Sequence, residues 1–117
     1  MDASTNGPSR VEFARWLTDV QHGAGALAAR VIMNRLWQHH FGRGQVATPG
    51  DFGVGGTEPT HPELLEWMAA ELVRGGWHLK PLHKMMLMSA TYRQGIAWDK
   101  ARDKVDSENQ LWWRRRR

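Results

Sequence analysis

Apolar side chains recur along much of the chain with the 3.6-residue period of an α-helix. The first such row predicts a helix that begins after Pro8 and Ser9, which supply helix-start chemistry, and runs to about Asp19. Its members lie at i, i+3, i+4 and i+7, and they are Phe13, Trp16, Leu17 and Val20.

The second row predicts a long central helix over residues 24–41. This stretch has no proline and no glycine after Gly25, and its apolar residues cover a broad helical face. Gly42 follows where a left-handed C-terminal cap is expected. A loop of six glycines and two prolines then extends from Gly42 to Pro59 without a sustained period. Such a length in a compact domain indicates a functional loop or a self-packed Ω-loop.

The remaining segments predict three further helices. Thr60 as N-cap, Pro62 in the first turn and Glu63 at N3 form a capping-box pattern for a third helix that ends at Gly75–Gly76. A fourth helix is expected from Lys80–Pro81 to residues 91–94, followed by a charged linker over residues 96–105. A fifth is expected from the cap pattern at residues 106–109 to Arg117. The pattern therefore predicts an all-α fold, with four to five helices around the central one and a Gly-rich loop between the second and third helices.

Composition adds a domain count and an unusual source of core volume. A length of 117 residues, with 41% hydrophobic and 24% charged residues, is typical of one globular domain. We expect a flexible leader over residues 1–8 and a single helical domain over residues 9–117. Seven tryptophans are many for this length. Trp16, Trp37, Trp67 and Trp77 are expected to anchor the core, and Trp98, Trp112 and Trp113 to lie outside it.

The net charge of +4 comes from one end of the chain. The run Arg114, Arg115, Arg116 and Arg117 carries four positive charges, so the rest of the chain is neutral. Because the positive charge is confined to this run, we do not favour nucleic-acid binding, although the run could bind a polyanion. The chain has no cysteine, which excludes disulfides, thiolate metal sites and covalent haem attachment. Neither a signal peptide nor a membrane-spanning run is recognisable.

Four sequence motifs, at residues 34–44, 48–53, 60–65 and 89–94, occur in an order and spacing that carry a resemblance. The motifs run from Asn34-Arg35-Leu36-Trp37 to Ser89-Ala90-Thr91-Tyr92-Arg93-Gln94. Together they resemble the planctomycete-type C-terminal domain of unknown function, over about residues 11–117. The resemblance implies a partial copy of a longer domain, found downstream of cytochrome-c-like modules in large proteins that are usually exported. It implies no catalytic residues, because the family has no established reaction.

Polar residues near the two ends of the Gly-rich loop form the candidate site. They are Asn34, Arg35, Gln38, His39, His40, Asp51, His61 and Glu63. Imidazoles and carboxylates suit divalent metals, but no spacing here matches a known metal motif, so we predict neither a metal nor a cofactor. The favoured interpretation is that Asn34, Arg35, Gln38 and His39 hydrogen-bond the loop and hold it against the helices.

Three functions remain open at this point. The favoured one is a helical interaction or scaffolding module of a larger multidomain protein, docking on other domains of that protein or on a self-association partner. A second is part of a hydrolytic or redox enzyme with acid–base groups near the loop, which requires His39, His40, Asp51 and His61 to converge. The third is polyanion binding through the arginine run. Subcellular location is not predicted, apart from the export that the resemblance implies.

Overall fold

The structure, a computed structural model, describes residues 7–116. Most of the predicted leader, residues 1–6, and Arg117 of the predicted arginine run lie outside this range. Residues 7–116 contain six helices and no strand, which confirms the all-α prediction. The helices are α1 (Arg10–Thr18), α2 (Gly25–Phe41), α3 (Pro62–Arg74), α4 (Lys80–Met88), α5 (Ala90–Arg93) and α6 (Lys100–Val105).

The central helix α2 organises the fold, and α3, α1 and α4 pack against it. Gly42 ends α2 in the left-handed conformation (φ 85°), as its position predicts, and its N–H donates to the carbonyl of Gln38. Core side chains come mainly from α2 and α3, with contributions from α4 and two distant segments. They are Ala29, Met33, Leu36, Trp37, Val46, Leu65, Met68, Ala69, Leu72, Leu82, Met86 and Trp112.

The start of α3 differs from the predicted capping box. His61, not Thr60, is the N-cap, and no side chain accepts a cap hydrogen bond there. The backbone N–H of Thr60 donates instead to the carbonyl of Gln45, 3.0 Å away in the Gly-rich loop. The side-chain hydroxyl of Thr60 contacts Nδ1 of His61 at 2.9 Å. In a capping box the backbone N–H of Thr60 would donate to the side chain of Glu63. Here that N–H donates to the loop instead.

Three expectations for the C-terminal third are wrong. The fourth helix stops at Ser89, whose extended backbone breaks it and whose hydroxyl accepts from the N–H of Tyr92 to start α5. The expected charged linker contains α6, which Asp99 caps. The expected fifth helix is absent from the described part of residues 106–117, which forms successive turns. The carboxylate of Asp106 accepts from the N–H groups of Gln110 and Leu111, an arrangement that stabilises a turn in place of a helix.

The distribution of tryptophans also differs from expectation. Trp37 is buried and Trp77 packs against the core, but Trp16 and Trp67 are 51% and 48% exposed. Trp112 is buried instead, at 8% exposure. A row of apolar residues on one face of a helix does not show whether that face is buried against another element. The row on α1 is an example, because α1 has no buried residue at all.

An ion pair joins α2 to α3. The guanidinium of Arg30 donates to both carboxylate oxygens of Glu66, at 2.7 and 2.9 Å. These hydrogen bonds hold the pKa of Glu66 below its ordinary value. A carboxyl whose pKa is lowered by folding stabilises the fold at pH values above its ordinary pKa, and this contribution is lost as the pH falls through the folded-state pKa.

We therefore expect Glu66→Gln to lower the free energy of unfolding by about 0.5 kcal/mol at neutral pH, since the Glu66 side chain is 62% exposed and that of Arg30 is 39% exposed. The deficit should shrink as the pH falls through the folded-state pKa of Glu66, where the carboxylate itself becomes protonated. Urea unfolding at neutral pH and at a strongly acidic pH measures it. Glu58→Gln is the control, because Glu58 forms no salt bridge with any described residue. An equal deficit at both pH values would contradict an electrostatic origin.

Candidate functional site

Asn34 is the one member of the predicted polar cluster that is fully buried. Its side-chain amide donates to the carbonyl of Val46 at 3.0 Å and its oxygen accepts from the N–H of Val46 at 2.9 Å. Asn34 thus pairs with the loop backbone as a neighbouring strand would, and fixes the loop on α2. Within the described residues, no comparable bond to the loop is made by Arg35, Gln38 or His39.

The other loop-flanking groups are engaged locally. The carboxylate of Asp51 accepts from the N–H of Gly53 at 2.9 Å, which stabilises the turn. Nδ1 of His61 contacts Thr60, and neither His61 nor Asp51 is hydrogen-bonded to His39 or His40. Within residues 7–116, no three His, Asp or Glu side chains come close enough together to hold a metal ion. The convergence that an acid–base site at the loop requires is not seen among these contacts.

His40 instead pairs with a histidine that the sequence analysis does not single out. Its Nδ1 lies 2.9 Å from the carbonyl of Leu36, so Nδ1 must carry the proton, because a carbonyl only accepts. In the neutral ring, Nε2 of His40 is then an acceptor, and Nδ1–H of His83 donates to it over 3.3 Å. Both nitrogens of His40 are therefore occupied within the protein, and its ring serves as a wall for the space beside it.

The segment 106–116 folds back over the end of α2. Asn109, 2% exposed, donates to the carbonyl of Arg114 at 2.6 Å and accepts from its N–H at 3.2 Å. Asn109 and Trp112 adopt left-handed backbone conformations (φ 55° and 59°), which turn the indole of Trp112 onto Trp37 and Phe41. The carbonyl of Trp112 also accepts from the amide of Gln94, at 2.7 Å. Tertiary contacts therefore fix this segment in a conformation that its own sequence does not favour.

This folding back creates a cleft of about 250 Å³, here called the arginine cleft. It is bounded by the end of α2, by α5 and by the folded-back segment. Its lining residues are His39, His40, Phe41, Gly42, Thr91, Tyr92, Gln94, Trp112, Arg114, Arg115 and Arg116. None of these described residues is acidic, so the cleft carries an excess of positive charge.

Aromatic rings hold the three guanidinium groups of the cleft. Arg115 lies over the ring of Tyr92 at 5.5 Å, and Arg116 lies over Trp112 at 5.9 Å. Arg114 lies over Trp113 at 5.1 Å. Stacking restrains an arginine side chain without occupying its in-plane N–H groups. One of these groups, Nη2 of Arg116, donates to the carbonyl of Glu108 at 2.9 Å. None of the three arginines forms a salt bridge with a described residue.

Three N–H groups of the cleft residues lack an acceptor within the described part of the chain. They are Nε of Arg114, Nε of Arg116 and Nε1 of Trp112, and each is buried. A buried donor without a partner typically costs about 1–3 kcal/mol. Their clustering on residues that share one cleft indicates a place for an acceptor.

The sequence signals for this site were the arginine run and two members of the predicted polar cluster, His39 and His40. Tyr92, Gln94 and Trp112 were not predicted as site residues, because they reach the cleft from segments far apart in sequence. His83, which contacts His40, was not predicted either. The charge run identified the arginines, but their surroundings depend on how residues 106–116 turn back. None of the described helices is both long enough and apolar enough to cross a membrane.

Comparison with known proteins gives a family but no activity. The family model described as "PSD1: Protein of unknown function (DUF1553)" matches residues 9–117. No curated protein and no solved structure matches the chain.

Proposed function

Because the chain belongs to this PSD1 family of proteins of unknown function, we propose its role from its own surfaces: it is a helical interaction module whose α1 docks on a protein partner. The observation that carries the proposal is the apolar row on α1. Phe13 and Trp16 are 56% and 51% exposed, Leu17 is exposed beside them, and Val20, just beyond the C-cap of α1, is exposed as well. A contiguous exposed aromatic and aliphatic face marks a protein contact more often than a solvated surface.

The helix that carries the apolar row is already formed and capped in the single chain. Ser9 and Glu12 form a complete capping box, in which each side chain accepts from the other's backbone N–H. The rings of Phe13 and Trp16 lie 6.0 Å apart and nearly parallel. A preformed helix and a paired set of rings lose little conformational entropy on docking, which favours recognition of the helix-in-groove kind.

A groove that could receive such a row lies next to Val20. It occupies about 370 Å³ between α2 and α3, and small side chains form most of its walls. These are Ala26, Ala29, Ala69, Ala70 and Val73. Alanines leave space between two helices that a bulky aromatic side chain can fill.

The partner we propose is a second copy of this chain. The row and the groove are on the same molecule, so two copies can each place α1 in the other's groove about a two-fold axis.

Trp16→Ser provides the test. We expect it to weaken dimerisation at least tenfold, because large aromatic anchors contribute about 2 kcal/mol or more to such contacts. Its free energy of unfolding at low protein concentration should change little, since Trp16 is exposed in the single chain. Sedimentation equilibrium over a range of protein concentrations measures the association.

Trp98→Ser is the matched control, because Trp98 is 59% exposed and lies away from α1 in the sequence. It should leave the dimerisation constant unchanged. A chain that stays monomeric at every concentration would rule out the second copy as the occupant. The docking of α1 on another domain of a larger protein, the other partner considered from the sequence, would then be the arrangement to test.

We also infer a finer placement within the family, as the planctomycete-type C-terminal domain, from the ordered motifs at residues 34–44, 48–53, 60–65 and 89–94. That placement supports a multidomain, exported context for the interaction module. An enzymatic role at the Gly-rich loop has less support, because Asp51 and His61 are engaged in local contacts.

A further inference from the structure

We propose that the arginine cleft is a binding site for a small tetrahedral oxyanion, a phosphate or a sulfate group. This site lies at the end of α2 and involves neither α1 nor the groove between α2 and α3, so it is independent of the docking proposed above. Three observations carry it: the uncompensated positive charge, the stacked guanidinium groups and the buried N–H groups that lack acceptors.

The donors favour an oxyanion over a neutral ligand. Guanidinium and indole N–H groups donate and never accept, so a ligand that satisfies them must present oxygen lone pairs. Charge-assisted hydrogen bonds from arginine to an oxyanion are among the strong ones. Arg114 and Arg116 place cationic donors in the same cleft as Trp112, so one anion with several oxygens can accept from more than one of them.

The size of the cleft favours a small group over a polymer. Its volume of about 250 Å³ corresponds to about eight water molecules at liquid density. That space admits a phosphate or sulfate group with a small organic remainder. A polyanion such as nucleic acid is instead recognised by a track of charges along an extended surface, and here the unpartnered donors belong to residues that line one recess.

Two other lining residues, His40 and Gln94, are already hydrogen-bonded within the protein. His40 contributes its ring but no free donor, because Leu36 and His83 occupy its two nitrogens. Gln94 is held by the carbonyl of Trp112. Specificity is therefore expected to come from the arginines and the indole N–H of Trp112, with Tyr92 holding Arg115 in place.

Isothermal titration of the full chain with inorganic phosphate, at low ionic strength and neutral pH, tests the proposal. We expect saturable binding in the millimolar range or tighter, with sulfate binding similarly and acetate more weakly. A rise in the unfolding temperature with phosphate, relative to sodium chloride at the same ionic strength, is expected from the same binding and needs no variant. Absence of both heat and stabilisation overturns the proposal, and equal binding of acetate overturns the tetrahedral class.

Two variants locate the site without changing the net charge. Arg116→Lys keeps the charge but loses the buried Nε–H and the planar fork, so phosphate should bind about tenfold more weakly. Trp112→Phe keeps an aromatic ring in the core but removes the indole donor, and should also weaken binding. Their controls are Arg10→Lys, on exposed α1, and Trp67→Phe, on α3, whose side chain is 48% exposed and does not line the cleft.

Equal weakening by the variants and their controls would place binding elsewhere and overturn the proposal. Binding confined to long polyanions such as an oligonucleotide, with a steep loss of affinity as salt rises, would overturn it in favour of a charged surface. Circular dichroism of each variant shows whether the fold is retained. If Trp112→Phe does not fold, Arg116→Lys and the stabilisation of the wild-type chain by phosphate decide the question.

Discussion

Trp37→Ala is expected to lower the free energy of unfolding by about 3–5 kcal/mol, which is a large share of the stability of a small domain. Trp37 is 6% exposed and belongs to an aromatic cluster with Phe41 and Trp112. Its ring centroid is 4.1 Å from that of Phe41 and 5.5 Å from that of Trp112. Truncation leaves a cavity that the surrounding rings can fill only in part. Urea unfolding followed by far-ultraviolet circular dichroism measures the effect.

Trp67→Ala is the matched control for this substitution. Trp67 is 48% exposed on α3, so its removal should change the free energy of unfolding by about 1 kcal/mol or less. A cost at Trp37 no larger than that at Trp67 would contradict the packing described here. A double-mutant cycle between Trp37 and Trp112 should give a coupling of about 1 kcal/mol, since their rings meet edge to face.

Asn34→Ala is expected to destabilise the fold by about 2–3 kcal/mol. The substitution leaves both backbone groups of Val46 without their partner, and Val46 is only 2% exposed. The cost of an unpaired buried donor and acceptor exceeds the small net gain from forming the original bonds. The midpoint of urea unfolding should fall, without a change in the slope of the transition.

Arg35→Ala, at the next position of α2, is the control for Asn34. Arg35 is exposed, so its removal should alter the free energy of unfolding by no more than about 0.5 kcal/mol. Similar values for the two variants would mean that Asn34 does not hold the loop. The comparison also tests whether the polar face of α2 stabilises the loop through one residue or through several.

The sequence predicts the start of α1 and the end of α2 well, because local signals determine both. Ser9 provides the capping box of α1, and Gly42 provides the left-handed end of α2. Both signals act within one turn of helix, and no contact with the loop replaces them, as happens to the capping-box pattern at Thr60. Burial is less predictable, since Trp16 and Met33 both lie in helical apolar rows, yet one is half-exposed and the other wholly buried.

The C-terminal segment shows why the candidate site could not be predicted in full. Asn109 tolerates a left-handed backbone, but nothing local indicates that Trp112 adopts one. That conformation depends on contacts with Trp37, 75 positions earlier in the chain. An arginine run on the expected fifth helix would have faced solvent. The turns that replace this helix bring Arg114 beside Tyr92 and His40 in one cleft.

The long separation between Trp37 and Trp112 has a consequence for the order in which the chain folds. Closing a longer loop costs more chain entropy, so the pairing of α2 with α3 is expected to precede the docking of the C-terminal segment. The arginine cleft would then be the last part of the molecule to form and the first to be lost. A ligand bound in the cleft would stabilise the docked C-terminal segment. The fraction of clefts that hold a ligand would therefore depend on whether the chain has folded completely.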